Sequence, residues 1–148
     1  MREILFRGKR IDNGKWIKGF YYERLNPFTE DGHPVKYFIA DVPPFANEIH
    51  QETIGQFTGL FDKNGAKIFE GDIIEFGSRN LVVWWDQEKF QWRAKAVLDT
   101  PTSPYEYFRD KEWDDIDLGW IYAELPSIGK TTTTIIGNIH DNPEMLNV

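Results

Sequence analysis

The densest group of chemically active side chains in the sequence is an acidic stretch in its last third. Residues 99–124 hold eight acids and two bases, a net charge of −6. Carboxylates bind hard cations, but a calcium loop starting here would need glycine where Asp115 stands. We interpret the stretch as an acidic lobe that binds a protein partner, the alternative being a solvated surface. The residues assigned to this binding surface are Asp110, Glu112, Asp114, Asp115 and Asp117.

Three other patterns resemble catalytic or ligand-binding motifs, but each lacks a required feature. Gly129-Lys130-Thr131 resembles the end of a phosphate-binding loop, yet Glu124 stands where such a loop needs its first glycine. Residues 62–65 resemble the start of a calcium loop, but the sixth position is Lys67. The three histidines are not spaced as metal ligands. We predict no catalytic residue, no metal and no cofactor.

The aromatic residues offer a second candidate binding surface. Trp84 and Trp85 are consecutive in a β-rich segment, so their side chains must point to opposite faces of a strand. Exposed tryptophan is typical of recognition surfaces, whereas buried tryptophan packs a core. The sequence leaves open which of the two roles each residue has.

Composition limits the class of protein and its compartment. The chain has 148 residues, 41% of them hydrophobic, and no cysteine, which fits one globular domain without thiol chemistry or disulfides. The first twenty residues are rich in lysine and arginine, so no signal peptide is expected there. We predict a cytoplasmic protein.

Charge is distributed unevenly along the chain. The net charge is −7, which argues against a general attraction to nucleic acid. Residues 1–18, however, hold six bases and two acids. This basic N-terminal segment keeps nucleic-acid binding as an alternative function.

The elements that must position these residues are mainly strands. Asn13-Gly14 and Asn64-Gly65 each separate two β-rich segments and predict hairpins, the first with a type I′ turn. Residues 90–96 alternate strictly between apolar and polar, and residues 142–146 predict a short C-terminal helix. The predicted fold is mainly β, either all-β or α+β. Hairpins would surround a small SH3-like barrel or β-sandwich core with irregular lobes.

Three segments of the chain resemble the YopX family of phage and prophage proteins. These segments are residues 6–16, residues 52–74 with the sequence Glu-Thr-Ile-Gly-Gln-Phe-Thr-Gly-Leu at their start, and residues 136–144. The resemblance implies a single domain over residues 1–148, with variable lobes at about 25–45 and 99–127.

The resemblance supplies no catalytic residue and no enzymatic activity that can be carried over to this chain. We therefore predict a non-enzymatic binding protein in a bacterial host cell, engaging a host or phage protein. The alternatives are an enzyme without a linear motif, such as a cation-dependent hydrolase using carboxylates, and nucleic-acid binding. Because a β-rich chain has edge strands to cover, we also expect a homo-oligomer and no membrane contact.

Overall fold

The protein is built from antiparallel β-strands. The computed structural model describes residues 2–42, 45–77, 79–96, 115–118 and 133–146. Within these residues the only helical elements longer than two residues are short 3-10 turns, at Gln51–Thr53 and Pro143–Leu146. The strands are β1 (Phe6–Lys9), β2 (Trp16–Leu25), β3 (Val35–Val42), β4 (Phe45–Glu48), β5 (Gly55–Phe61), β6 (Lys67–Phe69), β7 (Asp72–Phe76), β8 (Arg79–Asp86), β9 (Gln91–Ala96), β10 (Asp115–Asp117) and β11 (Thr134–Asn138).

The chain divides into two compact units, Met1–Phe57 and Thr58–Val148. In the first unit the strands follow the order β4-β3-β2-β1-β5, and in the second β10-β9-β8-β7-β11. Strand β5 crosses the boundary, since its first residues pair with β1 and it is also the neighbour of β6. The prediction of a mainly β fold is confirmed.

The first predicted hairpin is present, but its turn differs from the predicted type. β1 and β2 pair with Lys9 opposite Trp16, and the amide of Arg10 donates to the carbonyl of Lys15. Gly14 has a φ of 68°, whereas Asn13 has no positive φ, so a type I′ turn is excluded. The Asn13 side chain instead accepts a hydrogen bond from the amide of Lys15 at 2.9 Å. This local bond favours the longer loop that is observed.

Alternation along β2 separates two faces of the first unit. Ile17 is buried, and Tyr21 packs with it against Ile39 and Ile49 in the core of this unit. The intervening residues of β2 point the other way, because successive side chains of a strand alternate between faces. The residues on that second face are exposed, except for a half-buried Trp16.

The second unit contains an antiparallel meander formed by β7, β8 and β9. Leu81 lies opposite Ala96 and Val83 opposite Ala94, which places these residues on one face. The buried residues of this core are Ile68, Ile74, Leu81, Val83, Ala94 and Leu118. The second Asn-Gly hairpin is also confirmed, since the amide of Asp62 donates to the carbonyl of Ala66 across it.

Several finer predictions about the fold are wrong. No closed barrel forms in the described part of the chain, because β10 and β11 are opposite edges of one sheet. Phe90, predicted as the first residue of the alternating strand segment, lies in a turn before β9, with a φ of 53° and 71% exposure. Within the variable lobe expected at about 25–45, residues Val35–Val42 form the strand β3, and the variability of this lobe stays a prediction. The C-terminal helix is a single 3-10 turn.

Candidate functional site

The outward face of the first unit combines aromatic and cationic side chains from three strands. β2 contributes alternate residues, β1 contributes the residues opposite its start, and β3 those opposite its end. We call this surface the aromatic-basic face. Its members are Arg7, Lys9, Trp16, Lys18, Phe20, Tyr22, Arg24, Lys36 and Phe38.

Ring contacts confirm that these side chains share one face. The guanidinium carbon of Arg7 lies 4.7 Å from the centroid of the Trp16 ring, and the Lys9 ammonium lies 5.4 Å from it. Both distances are within the range of a cation–π contact. At the other end of β2, Tyr22 stacks on Phe38 with ring centroids 5.4 Å apart. The cations thus lie against the aromatic rings.

Exposure distinguishes this face from an ordinary sheet surface. Phe20 is 65% exposed and Tyr22 is 38% exposed, and both lie in the part of β2 that pairs with β3, beyond the end of its pairing with β1 at Gly19. A single exposed aromatic residue is unremarkable, but aromatic residues grouped on one face mark an interaction surface. Phe20 also lies between exposed Lys18 and Tyr22 along the face.

The charge of the face is strongly positive. Its cations are Lys9, Lys18, Arg24 and Lys36, together with Arg7, which is buried and lies over the Trp16 ring. Two acids lie at its Lys36 end: Glu48 of β4, opposite Phe38, and Asp31. The Lys36 ammonium is 3.7 Å from the Glu48 carboxylate and 3.0 Å from that of Asp31. These carboxylates raise the pKa of Lys36, which stays charged.

An open groove borders the Lys36 end of this face. It has a volume of about 500 Å³ and is lined by residues that include Asp31, Lys36, Glu48, His50 and Glu52. Nδ1 of His50 lies 3.7 Å from the Glu52 carboxylate. Within the described ranges, no group of three or more histidine or acidic side chains is arranged to hold a metal ion.

Asp31 has a strongly shifted acidity, which gives a testable pH dependence. The amide of His33 and the ammonium of Lys36 lower its pKa to about 2. Because the folded-state pKa is lowered, ionised Asp31 stabilises the fold above its unfolded pKa of about 4, and this contribution disappears as the pH falls towards 2. We expect Lys36→Met to raise the pKa of Asp31 in an NMR titration and Lys36→Arg to leave it low. An unchanged pKa in Lys36→Met would contradict the assignment.

Most of the acidic residues predicted as a binding surface lie outside the described residues. This applies to Asp110, Glu112 and Asp114. The structure places the other two in β10, where Asp115 is opposite Lys95 and Asp117 is opposite Arg93. Asp117 is exposed, and the Gln91 side-chain amide donates to it at 3.1 Å in the orientation that satisfies both groups. The role of the acidic lobe stays a prediction.

The two predicted tryptophans occupy different surroundings on β8. Trp84 is half-buried and lies opposite Arg93, whereas Trp85 is 37% exposed and lies opposite Trp92. The Trp85 and Trp92 rings meet edge to face at 5.0 Å, and Nε1 of Trp85 donates to Gln87 at 2.9 Å. Trp85 is therefore the more accessible of the two tryptophans, although its ring is in contact with that of Trp92.

Three buried polar residues hydrogen-bond to the backbone within residues 52–74 and 136–144, two of the segments that carry the family resemblance. The Thr53 hydroxyl accepts a hydrogen bond from the amide of Lys9 at 2.8 Å and donates to the carbonyl of His50. Asp72 is buried and accepts from the amide of Phe69 at 2.8 Å. Asn138 accepts from the amides of two following residues. These contacts give the segments a structural role.

One arrangement bears on the hydrolase alternative. His140 lies beside the turn that contains Glu70 and Asp72, with its Nε2 atom 3.7 Å from where a Cβ would stand on Gly71. The Asp72 carboxylate at this turn is directed to a backbone amide. His140 thus lies beside the turn, whose buried carboxylate, that of Asp72, accepts a backbone hydrogen bond.

Sequence reasoning did not identify the aromatic-basic face. The signal was the period-two pattern from Trp16 to Arg24, in which aromatic and cationic residues occupy every second position. Neither the basic residues nor the aromatic residues of this segment alone show the pattern, which becomes visible only when both kinds are taken together. The remaining members come from strands that are distant in sequence and are brought together by pairing alone.

The architecture defines this chain as a mainly β protein built from two antiparallel sheets. The chain matches the family described as YopX protein over residues 5–147, and it belongs to that family. It is also similar to the crystal structure of protein EF1440 from Enterococcus faecalis, with 23% identity, 99% of each chain covered and a TM-score of 0.44. No curated protein matches it. Within the described residues, no helix is long and apolar enough to cross a membrane.

Proposed function

We propose that this YopX family protein is a non-enzymatic binding protein that engages its partner through the aromatic-basic face. The observation that carries the proposal is Phe20, which is 65% exposed where β2 pairs with β3 and lies between Lys18 and Tyr22. Removing such a ring from water on binding is favourable, and the neighbouring cations select a negatively charged partner.

The bonding of the buried acids supports binding over catalysis. Asp62 and Asp72 are almost fully buried, and both accept hydrogen bonds from backbone amides. Asp86 likewise accepts from the amides of Glu88 and Lys89. A general acid or base must reach a substrate, which these carboxylates do not. A hydrolase that uses His140 is the alternative function.

Matched triple variants test the proposal. The face variant carries Lys18→Ser, Phe20→Ser and Arg24→Ser, while the control carries Lys63→Ser, Lys89→Ser and Phe90→Ser. Each removes two cations and one exposed phenylalanine. Tagged proteins are used to capture partners from bacterial lysate, with and without nuclease treatment, after thermal unfolding has shown that each variant is folded.

We expect the wild type and the control to retain the same partner and the face variant to lose it, because only the face variant lacks the binding surface. A face variant that retains everything bound by the wild type would contradict the proposal. So would a wild type that retains nothing beyond the bare resin.

A second candidate function is protein binding through the acidic lobe. It is favoured by exposed Asp117, which the structure places on an edge strand of the second unit. Neutralising the five acidic residues to Ser or Asn would release a host protein if this surface binds it. The phage or prophage origin, the cytoplasmic location and a homo-oligomer formed through edge strands belong to the same proposal.

A further inference from the structure

We propose that the partner of the aromatic-basic face is single-stranded nucleic acid, with bases stacking on Phe20 and Tyr22 and phosphates contacting the cations beside them. This inference rests on the proposed function of the face and names its ligand. Three features of the described residues carry it: the spacing of the aromatic rings, the positions of the cations, and the charge contrast with the rest of the chain.

The spacing of the rings suits consecutive bases. Phe20 and Tyr22 are two residues apart on one strand, so their Cα atoms are about 7 Å apart. Bases in a duplex are separated by about 3.4 Å per strand, and an unstacked strand extends further per nucleotide. Successive bases of an extended strand can therefore each meet one ring. Stacking on aromatic side chains is tolerant of sequence because every base has a flat face.

The cations flank these rings along the same strand. Lys18 precedes Phe20 and Arg24 follows Tyr22, at the same period of two residues. The guanidinium of Arg24 lies 5.7 Å from the Phe38 ring centroid, and Phe38 stacks on Tyr22. A positively charged track with aromatic residues between the charges is the arrangement that single-strand binding proteins use.

The charge contrast explains how an acidic protein can bind a polyanion. The chain as a whole carries −7, but the face carries five cations, of which Lys36 is paired with Asp31 and Glu48 and Arg7 is buried. Lys9, Lys18 and Arg24 are the other cations of the face. An acidic protein would satisfy the cations as well, yet its carboxylates offer no aromatic ring that could stack on Phe20 and Tyr22. Duplex bases are already stacked on one another, so a single strand is favoured over a duplex.

Fluorescence anisotropy with defined probes tests the inference. The probes are a labelled oligo-dT strand, an abasic strand of the same length, a duplex of the same length, and a poly-glutamate peptide. The proteins are the wild type, Phe20→Ala, Lys18→Ser, and Phe90→Ala as a control that is exposed but lies in the other unit. Thermal unfolding confirms that each is folded.

We expect oligo-dT to bind the wild type more tightly than the duplex or the abasic strand. Phe20→Ala should weaken oligo-dT binding about tenfold, because one base loses its ring, and should leave binding of the abasic strand unchanged. Lys18→Ser should instead reduce the salt dependence, lowering the slope of log K against log salt by about 0.7. Phe90→Ala should match the wild type.

The outcomes separate this inference from the proposed function. If poly-glutamate binds in a Phe20-dependent way and oligo-dT does not, the ligand is an acidic protein: the inference fails while the binding role of the face stands. If neither probe binds and lysate capture is unaffected by the face variant, both proposals fail. Equal loss of the abasic and the dT strands in Phe20→Ala would also overturn base stacking.

Discussion

Replacing Asp62 with alanine lowers the free energy of unfolding by about 3 kcal/mol, one of the two largest effects we expect from a single substitution. Asp62 is 2% exposed, and Oδ1 accepts hydrogen bonds from the amides of Asn64 and Ala66, both at 2.9 Å. Oδ2 accepts from the amide of Ile135 at 3.2 Å. One carboxylate therefore closes the β5–β6 hairpin and also holds β11.

The expected loss follows from what alanine leaves behind. Three backbone donors lose their acceptor, and each partly buried donor left unsatisfied costs about 1–3 kcal/mol before water compensates. For a chain of this size the thermal midpoint should fall by roughly 10 °C. Urea unfolding followed by tryptophan fluorescence measures the change.

Two further variants make the Asp62 prediction specific. Asp62→Asn keeps one oxygen acceptor but directs an amide donor at another donor, so its loss should be intermediate. Asp12→Ala removes a side chain that is 63% exposed and pairs with Arg10, so it should leave the stability close to that of the wild type. If Asp62→Ala were no more harmful than Asp12→Ala, the clamp assigned to Asp62 would be wrong.

The parts of the fold that the sequence predicted correctly are those governed by local rules. Both Asn-Gly pairs mark hairpins because a glycine is needed where φ is positive, at 68° for Gly14 and 85° for Gly65. The alternation of residues 90–96 identifies the core-facing side of β9, where Ala94 is fully buried. In each case the local structure is determined by a few residues that are neighbours in the sequence.

The errors arise where a distant or side-chain contact decides the structure. Phe90 fits the alternation of β9, but Asp86 accepts from the amides of Glu88 and Lys89 and so closes a turn just before it. β10 is an acidic segment of low strand propensity, and it becomes a strand by pairing with Lys95 and Arg93 of β9. No local pattern of residues 115–117 carries that information.

The candidate site shows the same limit. The sequence predicts the acidic lobe because its charged residues are close together in the chain, whereas the aromatic-basic face is assembled from β1, β2 and β3. Alternation along β2 predicts that Phe20 and Tyr22 share a side of the strand. Nothing local predicts that Phe38 lies against Tyr22 or that Arg7 lies over Trp16. Those contacts depend on the register of two strand pairs.

Gly19 sets the distance between the two strands that carry most of this face, and we expect Gly19→Ala to destabilise the protein by about 3 kcal/mol. A Cβ atom on Gly19 would stand 2.1 Å from the carbonyl oxygen of Ala40 and 2.7 Å from its carbonyl carbon. Both are backbone atoms of β3 and cannot turn aside as a flexible side chain can. To admit the methyl group, β2 and β3 must separate where Phe20 pairs with Ala40.

Gly14→Ala provides the matched control, because this glycine is required for a different reason. Gly14 has a φ of 68°, with no atom within 4 Å of an added Cβ. Its substitution therefore costs only the strain of the left-handed backbone, about 1–2 kcal/mol. Urea unfolding of both variants, with amide hydrogen exchange along β3, separates the two effects. Gly19→Ala should accelerate exchange in β3, and Gly14→Ala should not. Equal stability of the two variants with unchanged exchange in β3 would show that the strands are not held this closely.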